Sequence, residues 1–213
     1  MKKTFRLTSP SKKLKTWMNL KGFSDVSKSK NADIIIFNSN IGHIDPKYYG
    51  QKQHPKTLTN KKEFLRIKEM YKQWRGKKAL VGIGRCSHLI HVLNGGFLYQ
   101  HVTNHINPHQ THFKDKNNAK RLVETESSHT QLMGCKSAGT VILEAIELSE
   151  CRQTMPGKII TKHWNKITDI EGMHYPKSNS LSWQPNPELG VTTPYFASGT
   201  DAFTTAIKQY LSY

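Results

Sequence analysis

Cysteine and histidine are the residue types in this sequence whose positions could support chemistry. Cys86 comes two residues after Gly84, where a short apolar run gives way to helical spacing. In the first turn of that helix, the helix dipole and Arg85 would lower the pKa of the thiol. A thiolate beside a base is a nucleophile for amide hydrolysis. The competing interpretation is a buried thiol that only packs in the core.

A second group of candidates is a histidine-rich stretch. Its spacings of four, four and three residues would place the rings on one face of a helix and suit a metal: His101, His105, His109 and His112. Asn104, Asn107 and Pro108 instead favour a loop. We therefore expect no metal and no cofactor. Glu124 and Glu126 could pair for acid–base chemistry, although alternating residues of a strand more often share a solvated face.

Composition limits the classes of protein that the chain can belong to. The 213 residues suffice for a single domain, expected to span residues 1–213, and contain no long apolar run typical of a membrane span. The apolar segment of a secretory signal is also missing. Three widely spaced cysteines without a CxxC motif suggest neither a disulfide framework nor a zinc knuckle. A cytoplasmic protein that does not enter membranes is expected.

Positive charge is concentrated in the N-terminal part of the chain. Residues 1–80 carry 20 Lys and Arg against 5 Asp and Glu, a net of +15 within a total of +17. Such a surface either maintains solubility or attracts an anionic partner, either nucleic acid or an acidic protein. The candidate partner-binding side chains, which we call the basic face, cluster on and after one predicted helix: Lys61, Lys62, Arg66, Lys68, Lys72, Arg75, Lys77 and Lys78.

The elements that must position these residues alternate between strands and helices. Strands are predicted over 4–9, 33–37 and 79–83, and helices over 10–20, 60–74 and 85–93. Shorter strands follow at 122–125, 141–147, 167–173 and 181–184, before a last helix over 200–211. This alternation predicts a parallel sheet with right-handed crossovers.

Four segments in order resemble the γ-glutamyl-γ-aminobutyrate hydrolase (peptidase C26-like) branch of the class I glutamine amidotransferases. They correspond to an Ile-Asp-Pro-x-x-Tyr-Gly loop, a nucleophile elbow, a Ser-x-His-His-Gln segment and a strand pair ending in Gln-x-His-Pro-Glu: Asp33–Gly50, Val81–His101, Glu126–Met133 and Asp169–Glu188. The resemblance implies a flavodoxin-like three-layer α/β sandwich with a mostly parallel central sheet. In active relatives it also implies a Cys-His-Glu triad that hydrolyses γ-glutamyl amides, and often a synthetase or ligase partner.

The resemblance places the catalytic positions on residues that cannot perform this reaction. The nucleophile position is Gly84 and the histidine position is Asn186, whereas Glu188 matches the triad glutamate. Glycine has no side chain, and an asparagine cannot accept the proton of a thiol. The sequence therefore predicts a pseudoenzyme that binds a ligand or a partner.

The resemblance also identifies candidate binding residues and one rival chemistry. The binding candidates are the oxyanion-loop positions and two flanking residues: Asn38, Ser39, Asn40, Arg85 and Gln131. Glu171 and His174, on the family-like strand pair, could line the same pocket. The alternative function is a divergent γ-glutamyl hydrolase or amidotransferase that uses Cys86 as nucleophile and His129 as base.

Overall fold

The computed structural model describes residues 2–103, 105–134, 139–155, 158–161, 168–189 and 193–213. The helices are α1 (Lys12–Leu20), α2 (Lys61–Trp74), α3 (Arg85–Leu93) and α4 (Ala197–Tyr210). The strands of the first half are β1 (Thr4–Leu7), β2 (Ser24–Asp25), β3 (Ile34–Phe37), β4 (Ala79–Ile83), β5 (Phe97–Tyr99), β6 (His101–Val102) and β7 (His109–Lys114). Those of the second half are β8 (Lys120–Thr125), β9 (Leu132–Gly134), β10 (Thr140–Ala145), β11 (Cys151–Met155), β12 (Lys158–Thr161), β13 (Asp169–Tyr175) and β14 (Ser180–Trp183).

A large mixed sheet forms the middle layer of the molecule. Its strand order is β2-β1-β3-β4-β14-β13-β10-β7-β8, and β9 and β5 branch from β13. The pairs from β2 to β14 are parallel, and those from β14 to β8 are antiparallel. Strands β12, β11 and β6 form a separate small sheet.

Helices cover both faces of the parallel strands, which confirms the predicted three-layer α/β class. Ile34 and Ile36 of β3 belong to the core under α1 and α4, and Ile35 and Phe37 to the core under α2 and α3. This alternation explains why Ile34–Phe37 is apolar throughout, since a strand buried on both faces needs apolar side chains on each. No helix in the described ranges has the length and apolarity needed to cross a bilayer.

Local signals in the sequence set the helix boundaries. Ser11 caps α1 by accepting a hydrogen bond from the Leu14 amide, and Asn60 caps α2 through the Glu63 amide. Gly22 and Gly76, which follow these helices, have positive φ values of 92° and 73°. The predicted strand and helix positions of the first half therefore agree with the structure.

The histidine-rich stretch is partly strand, and the predicted loop is wrong from His109 onward. His109 opens β7, which pairs with β8 and β10 and buries Thr111 and Phe113 on one face. The side chains alternate between buried and exposed along this strand, but histidine and glutamine weaken the apolar contrast by which such alternation is recognised.

The two outer strands of the large sheet, β2 and β8, are protected at their unpaired edges in different ways. β2 is only two residues long. β8 carries exposed Lys120 and Arg121, and α4 lies against it: the Glu124 amide donates to Ser198 Oγ at 2.9 Å, and Arg121 donates to Thr205 Oγ1 at 3.1 Å.

Strand β4 and helix α3 approach each other closely at Gly82. A Cβ atom at this position would lie 2.5 Å from the Cys86 carbonyl oxygen and 2.7 Å from its carbon. These are backbone atoms that cannot rotate away, so a glycine at position 82 fixes how α3 leaves the sheet.

We predict that Gly82→Ala lowers the free energy of unfolding by about 3 kcal/mol, the upper part of the usual range for overpacking. The matched control is Gly22→Ala, because nothing lies within 4 Å of a Cβ there and only the positive φ opposes it. That control should lose about 1–2 kcal/mol. Urea denaturation measures both, and equal losses would contradict the close approach.

Candidate functional site

Gly84 forms a sharp turn between β4 and α3. Its backbone angles are φ 56° and ψ −126°, a combination that a residue with a side chain adopts only under strain. A strand–turn–helix with this strained central residue is the form of a nucleophile elbow. The backbone therefore has the elbow conformation, although residue 84 offers no nucleophilic atom.

Asn186 faces the position that a side chain at residue 84 would occupy. Its Oδ1 atom lies 3.5 Å from where a Cβ at Gly84 would be. Glu126 fixes Asn186 by accepting from its amide at 3.2 Å and from Nδ2 at 3.0 Å. The residue at the histidine position is thus in place beside the elbow, and it is held by Glu126.

Glu188 is half-buried near the same point. Burial and the nearby Glu126 carboxylate raise its pKa above the ordinary value. Its Oε2 atom is buried and has no hydrogen-bond partner in the described part of the chain. A buried carboxylate oxygen without a partner is costly, so this atom favours a ligand that can donate a hydrogen bond.

The oxyanion-loop candidates follow β3 and are fixed by side chains of neighbouring elements. Asn38 accepts from the Ser9 amide and donates to the Ser9 carbonyl, both at 3.0 Å, so it ties the loop to the end of β1. Arg66 Nη2 donates to Ser39 Oγ at 3.2 Å. Asn40 is exposed.

A cleft of about 290 Å³, the elbow cleft, brings most of the predicted site residues together. Its lining comprises Asn38, Ser39, Asn40, Ile83, Gly84, Arg85, Ser128, His129, Gln184, Asn186 and Glu188. Ser128 and Gln184 were not singled out from the sequence, although both lie in segments that carry the resemblance. Gln131 is buried and contributes its carbonyl, which accepts from Gln184 Nε2 at 2.9 Å.

Cys86 does not line the elbow cleft. Its side chain is fully buried, and its thiol donates to the Ser39 carbonyl oxygen at 3.2 Å. Burial raises the pKa of the thiol to about 12. Of the two interpretations of Cys86, the structure favours the buried thiol that packs in the core, where desolvation disfavours the thiolate.

His129 lines the cleft but is engaged on both sides of its ring. Nδ1 lies 3.0 Å from the Gln131 carbonyl oxygen, and Nε2 lies 3.2 Å from Glu171 Oε2. The ring is therefore fixed toward Glu171 instead of serving a thiol.

The other acidic candidates lie apart from one another. Glu124 accepts from Gln110 at 2.7 Å while Glu126 holds Asn186, so these two carboxylates do not form an acid–base pair.

The two candidates from the strand pair do not line the elbow cleft. His174 packs against the Tyr210 ring, with centroids 5.0 Å apart. Glu171 lies outside the cleft lining and is fully buried.

Glu171 instead forms the centre of a buried cluster, the histidine cluster, with His105, His109, His129 and Asp169. Burial would raise the pKa of Glu171, but the three histidines hold it well below its usual range. Burial likewise opposes the charge on His105, yet hydrogen bonds to Asp169 and Glu171 raise its pKa to about 9. Among the described residues, His105, His109 and Glu171 form a group that could hold a metal ion.

The remaining histidines of the stretch lie elsewhere. His101 stacks on His54 with ring centroids 5.7 Å apart, and Lys56 Nζ lies 3.2 Å from its Nε2. His112 lies in β7 opposite Glu144 of β10.

The basic face is exposed but partly neutralised. Arg66 pairs with Glu63 at 2.6 Å and Lys72 with Glu69 at 3.0 Å. Lys68 lies over the Tyr48 ring at 4.5 Å, and Lys78 donates to the Lys30 carbonyl. Lys61, Lys62, Arg75 and Lys77 are exposed.

Comparison with known proteins gives a family and a fold. The Peptidase C26 family model matches residues 29–152, more than half of the chain. No protein of curated function matches the sequence.

Solved structures with a similar fold match nearly the whole chain at low identity. A protein provisionally assigned as one of the subunits of GMP synthase, from Thermoplasma acidophilum, has a TM-score of 0.64 at 9% identity, covering 98% of this chain and 94% of that one. PurLQS from Thermotoga maritima gives 0.59 at 11% identity, covering 98% and 99%. A glutamine amidotransferase from the same organism gives 0.55 at 11% identity, covering 98% and 85%. At these identities the likeness shows the fold alone.

We predict that Cys86 of the folded protein resists alkylation between pH 7 and pH 10. A thiol with a pKa of about 12 stays neutral through the range in which an ordinary cysteine, with a pKa of about 8.5, ionises. The measurement is intact-mass analysis of a Cys135→Ser/Cys151→Ser variant, in which Cys86 is the remaining cysteine. Labelling should appear only after denaturant is added. Rapid labelling of the native variant near pH 8.5 would show that the thiol is accessible.

Proposed function

Because the chain belongs to the Peptidase C26 family, we propose that it is a catalytically degenerate, glutamine amidotransferase-like protein that binds ligands or partners without hydrolysing amides. The observation that carries the proposal is the juxtaposition at the elbow. Gly84 has the strained backbone of a nucleophile, and Asn186 lies 3.5 Å from the site of its missing side chain. Two residues that can neither attack an amide nor accept the proton of a thiol thus lie side by side where the resemblance expects a reactive pair.

The energetics of the elbow favour this interpretation. A side chain in the Gly84 conformation costs about 1–3 kcal/mol, and a protein that uses the nucleophile must bear that strain. Glycine relieves it. Asn186 forms two hydrogen bonds with Glu126, so the group at this position is held in place and cannot act as a base.

The elbow cleft retains features that suit a small polar ligand. Its volume of about 290 Å³ matches a molecule of amino-acid size or slightly larger. The exposed Arg85 can bind a carboxylate. The Oε2 atom of Glu188, which lacks a hydrogen-bond partner among the described residues, can accept from an ammonium or amide. A γ-glutamyl-like compound carries both groups.

The rival hydrolase that uses Cys86 and His129 has weaker support. Cys86 is fully buried with a raised pKa, and His129 is bonded to Gln131 and Glu171. Neither group is free for attack on an amide in this conformation. No cysteine is among the described residues that line the cleft.

An anionic macromolecule is the proposed partner of the basic face. Exposed Lys61 and Lys62 begin α2, and Arg75 and Lys77 follow its end, so positive charge lies at both ends of one surface helix. Arg66 links this face to the cleft through Ser39. A synthetase or ligase with an acidic surface is one partner of this kind, as the GMP synthase component among the structural neighbours suggests.

We predict that placing cysteine and histidine at the two reactive positions creates a thiol that reacts with a glutamine mimic. The variant Gly84→Cys/Asn186→His should gain one adduct from a glutamine-mimicking diazo-ketone, because the elbow presents residue 84 to the cleft. The wild type should remain unmodified by intact-mass analysis. Gly84→Ala/Asn186→His is the control for strain, and all variants should lose about 1–3 kcal/mol of stability.

Two outcomes of that experiment would contradict the proposal. One is a stoichiometric adduct on the wild type that disappears in Cys86→Ser, since this would identify Cys86 as a reactive nucleophile. The other is turnover of γ-glutamyl amides by the wild type. A folded restored variant that stays unlabelled would show that the cleft no longer admits a glutamine-like compound.

We predict that the basic face dominates retention on heparin. Lys61→Glu/Lys62→Glu should elute at clearly lower salt than the wild type, because each lost phosphate or sulfate contact reduces the salt dependence. Lys116→Glu/Lys120→Glu makes the same charge change at exposed positions near the opposite end of the sheet. Equal shifts for the two variants would mean that only net charge matters and that no face is specific.

A further inference from the structure

Three imidazole rings converge on one buried carboxylate in the histidine cluster. Nε2 of His105 lies 2.6 Å from Glu171 Oε1, and Nε2 of His109 lies 3.7 Å from the same oxygen. On the other side of the carboxylate, Nε2 of His129 lies 3.2 Å from Oε2. His105, His109 and Glu171 are all buried.

The second nitrogen of each ring is already bonded outward. Nδ1 of His105 lies 3.3 Å from Asp169 Oδ2, and that of His109 lies 3.0 Å from the Asn107 carbonyl. Nδ1 of His129 lies 3.0 Å from the Gln131 carbonyl. His105 donates from both nitrogens, to Asp169 and to Glu171. Nδ1 of His129 also contacts Nε2 of the Gln184 amide. Nδ1 of His109 lies against an acceptor, so it carries the proton, and the lone pair of the neutral ring is on Nε2. Histidines that bind metals are oriented in this way.

The charges at the centre of this cluster balance, because a protonated His105 donates to Glu171 and Asp169 and because Arg152 also pairs with Asp169 at 2.6 Å. The buried Nε2 of His109 has no hydrogen-bond partner among the described residues. A cation held by this lone pair and by Glu171 would give the nitrogen a partner.

A solvent route to the cluster has the charge that a cation requires. A cleft of about 640 Å³ is lined by His105 and His109 together with Glu147 and Glu150. Both glutamates are exposed. In a chain of net charge +17, these carboxylates create a local region that attracts cations.

We propose that His105, His109 and Glu171, with His129 as a fourth donor, form a binding site for a divalent transition metal ion, with zinc best suited to this donor set. The donor atoms of the first three residues lie within 4.8 Å of one another. Tetrahedral zinc with bonds of about 2.0–2.1 Å separates its ligands by about 3.3 Å. The 2.6 Å and 3.7 Å contacts lie on either side of that value, so small ring movements suffice.

The experiment uses the full chain, stripped with a chelator and then titrated with Co²⁺, whose visible absorption reports coordination geometry. We expect one cobalt ion per chain, displaced by zinc. His109→Gln should weaken binding by more than about 10-fold, the lower limit found even for residues that only support a ligand. His112→Gln is the matched control, since it removes the same ring from the same strand outside the cluster, and it should bind as the wild type does.

Two further outcomes decide the proposal even if His109→Gln does not fold. X-ray absorption of the zinc-loaded wild type should show nitrogen and oxygen neighbours with imidazole scattering, and sulfur bound directly to the zinc would overturn the assignment. A folded wild type that takes up no stoichiometric metal at pH 7.5 would also overturn it, as would equal binding by His109→Gln and the wild type. The cluster would then be a network of shared protons.

Discussion

The register of the parallel strands is the constraint on which the candidate site depends. Phe37 of β3 lies beside Gly82 of β4, and Ile83 of β4 lies beside Trp183 of β14. Parallel strands have their carboxyl ends at one edge, so three loops that are distant in sequence leave the sheet side by side. The oxyanion-loop candidates, the elbow and the Asn186 segment meet there because backbone hydrogen bonds fix these strands.

The parts of this site that could be predicted from the sequence are those set by local patterns or by ordered motifs. Ser11 and Asn60 predict helix starts because each caps an amide three residues further on. The apolar run at 33–37 predicts a strand buried on both faces. The order of the motifs predicted that Gly84 and Asn186 share one site, because each follows a strand of the same parallel sheet. For Cys86 the sequence left a reactive and a buried thiol open, because the outcome depends on how closely α3 packs on Gly82.

The histidine cluster shows a different limit of sequence reasoning. His105 and His109 lie about sixty residues from Glu171 in sequence, and they meet it only because β10 pairs with both β7 and β13. Their spacing of four suggested a helix, the neighbouring Asn and Pro residues suggested a loop, and neither is correct for His109. The resulting group of ionisable side chains is buried and interdependent, so removal of one member leaves the others unpaired. Such a cluster stabilises a single arrangement of the strands around it.

The protection of the outer strands of the large sheet affects how the protein can associate with other chains. An exposed strand edge is a template on which another chain can add a strand, as happens in domain swapping and amyloid growth. Here the Glu124 amide of β8, which could pair with an added strand, instead donates to Ser198 of α4. At the other edge, β2 is two residues long and too short to offer a continuous edge. Extension of the large sheet is thereby disfavoured at β2 and β8, which favours recognition through side chains on the helical faces and through the clefts.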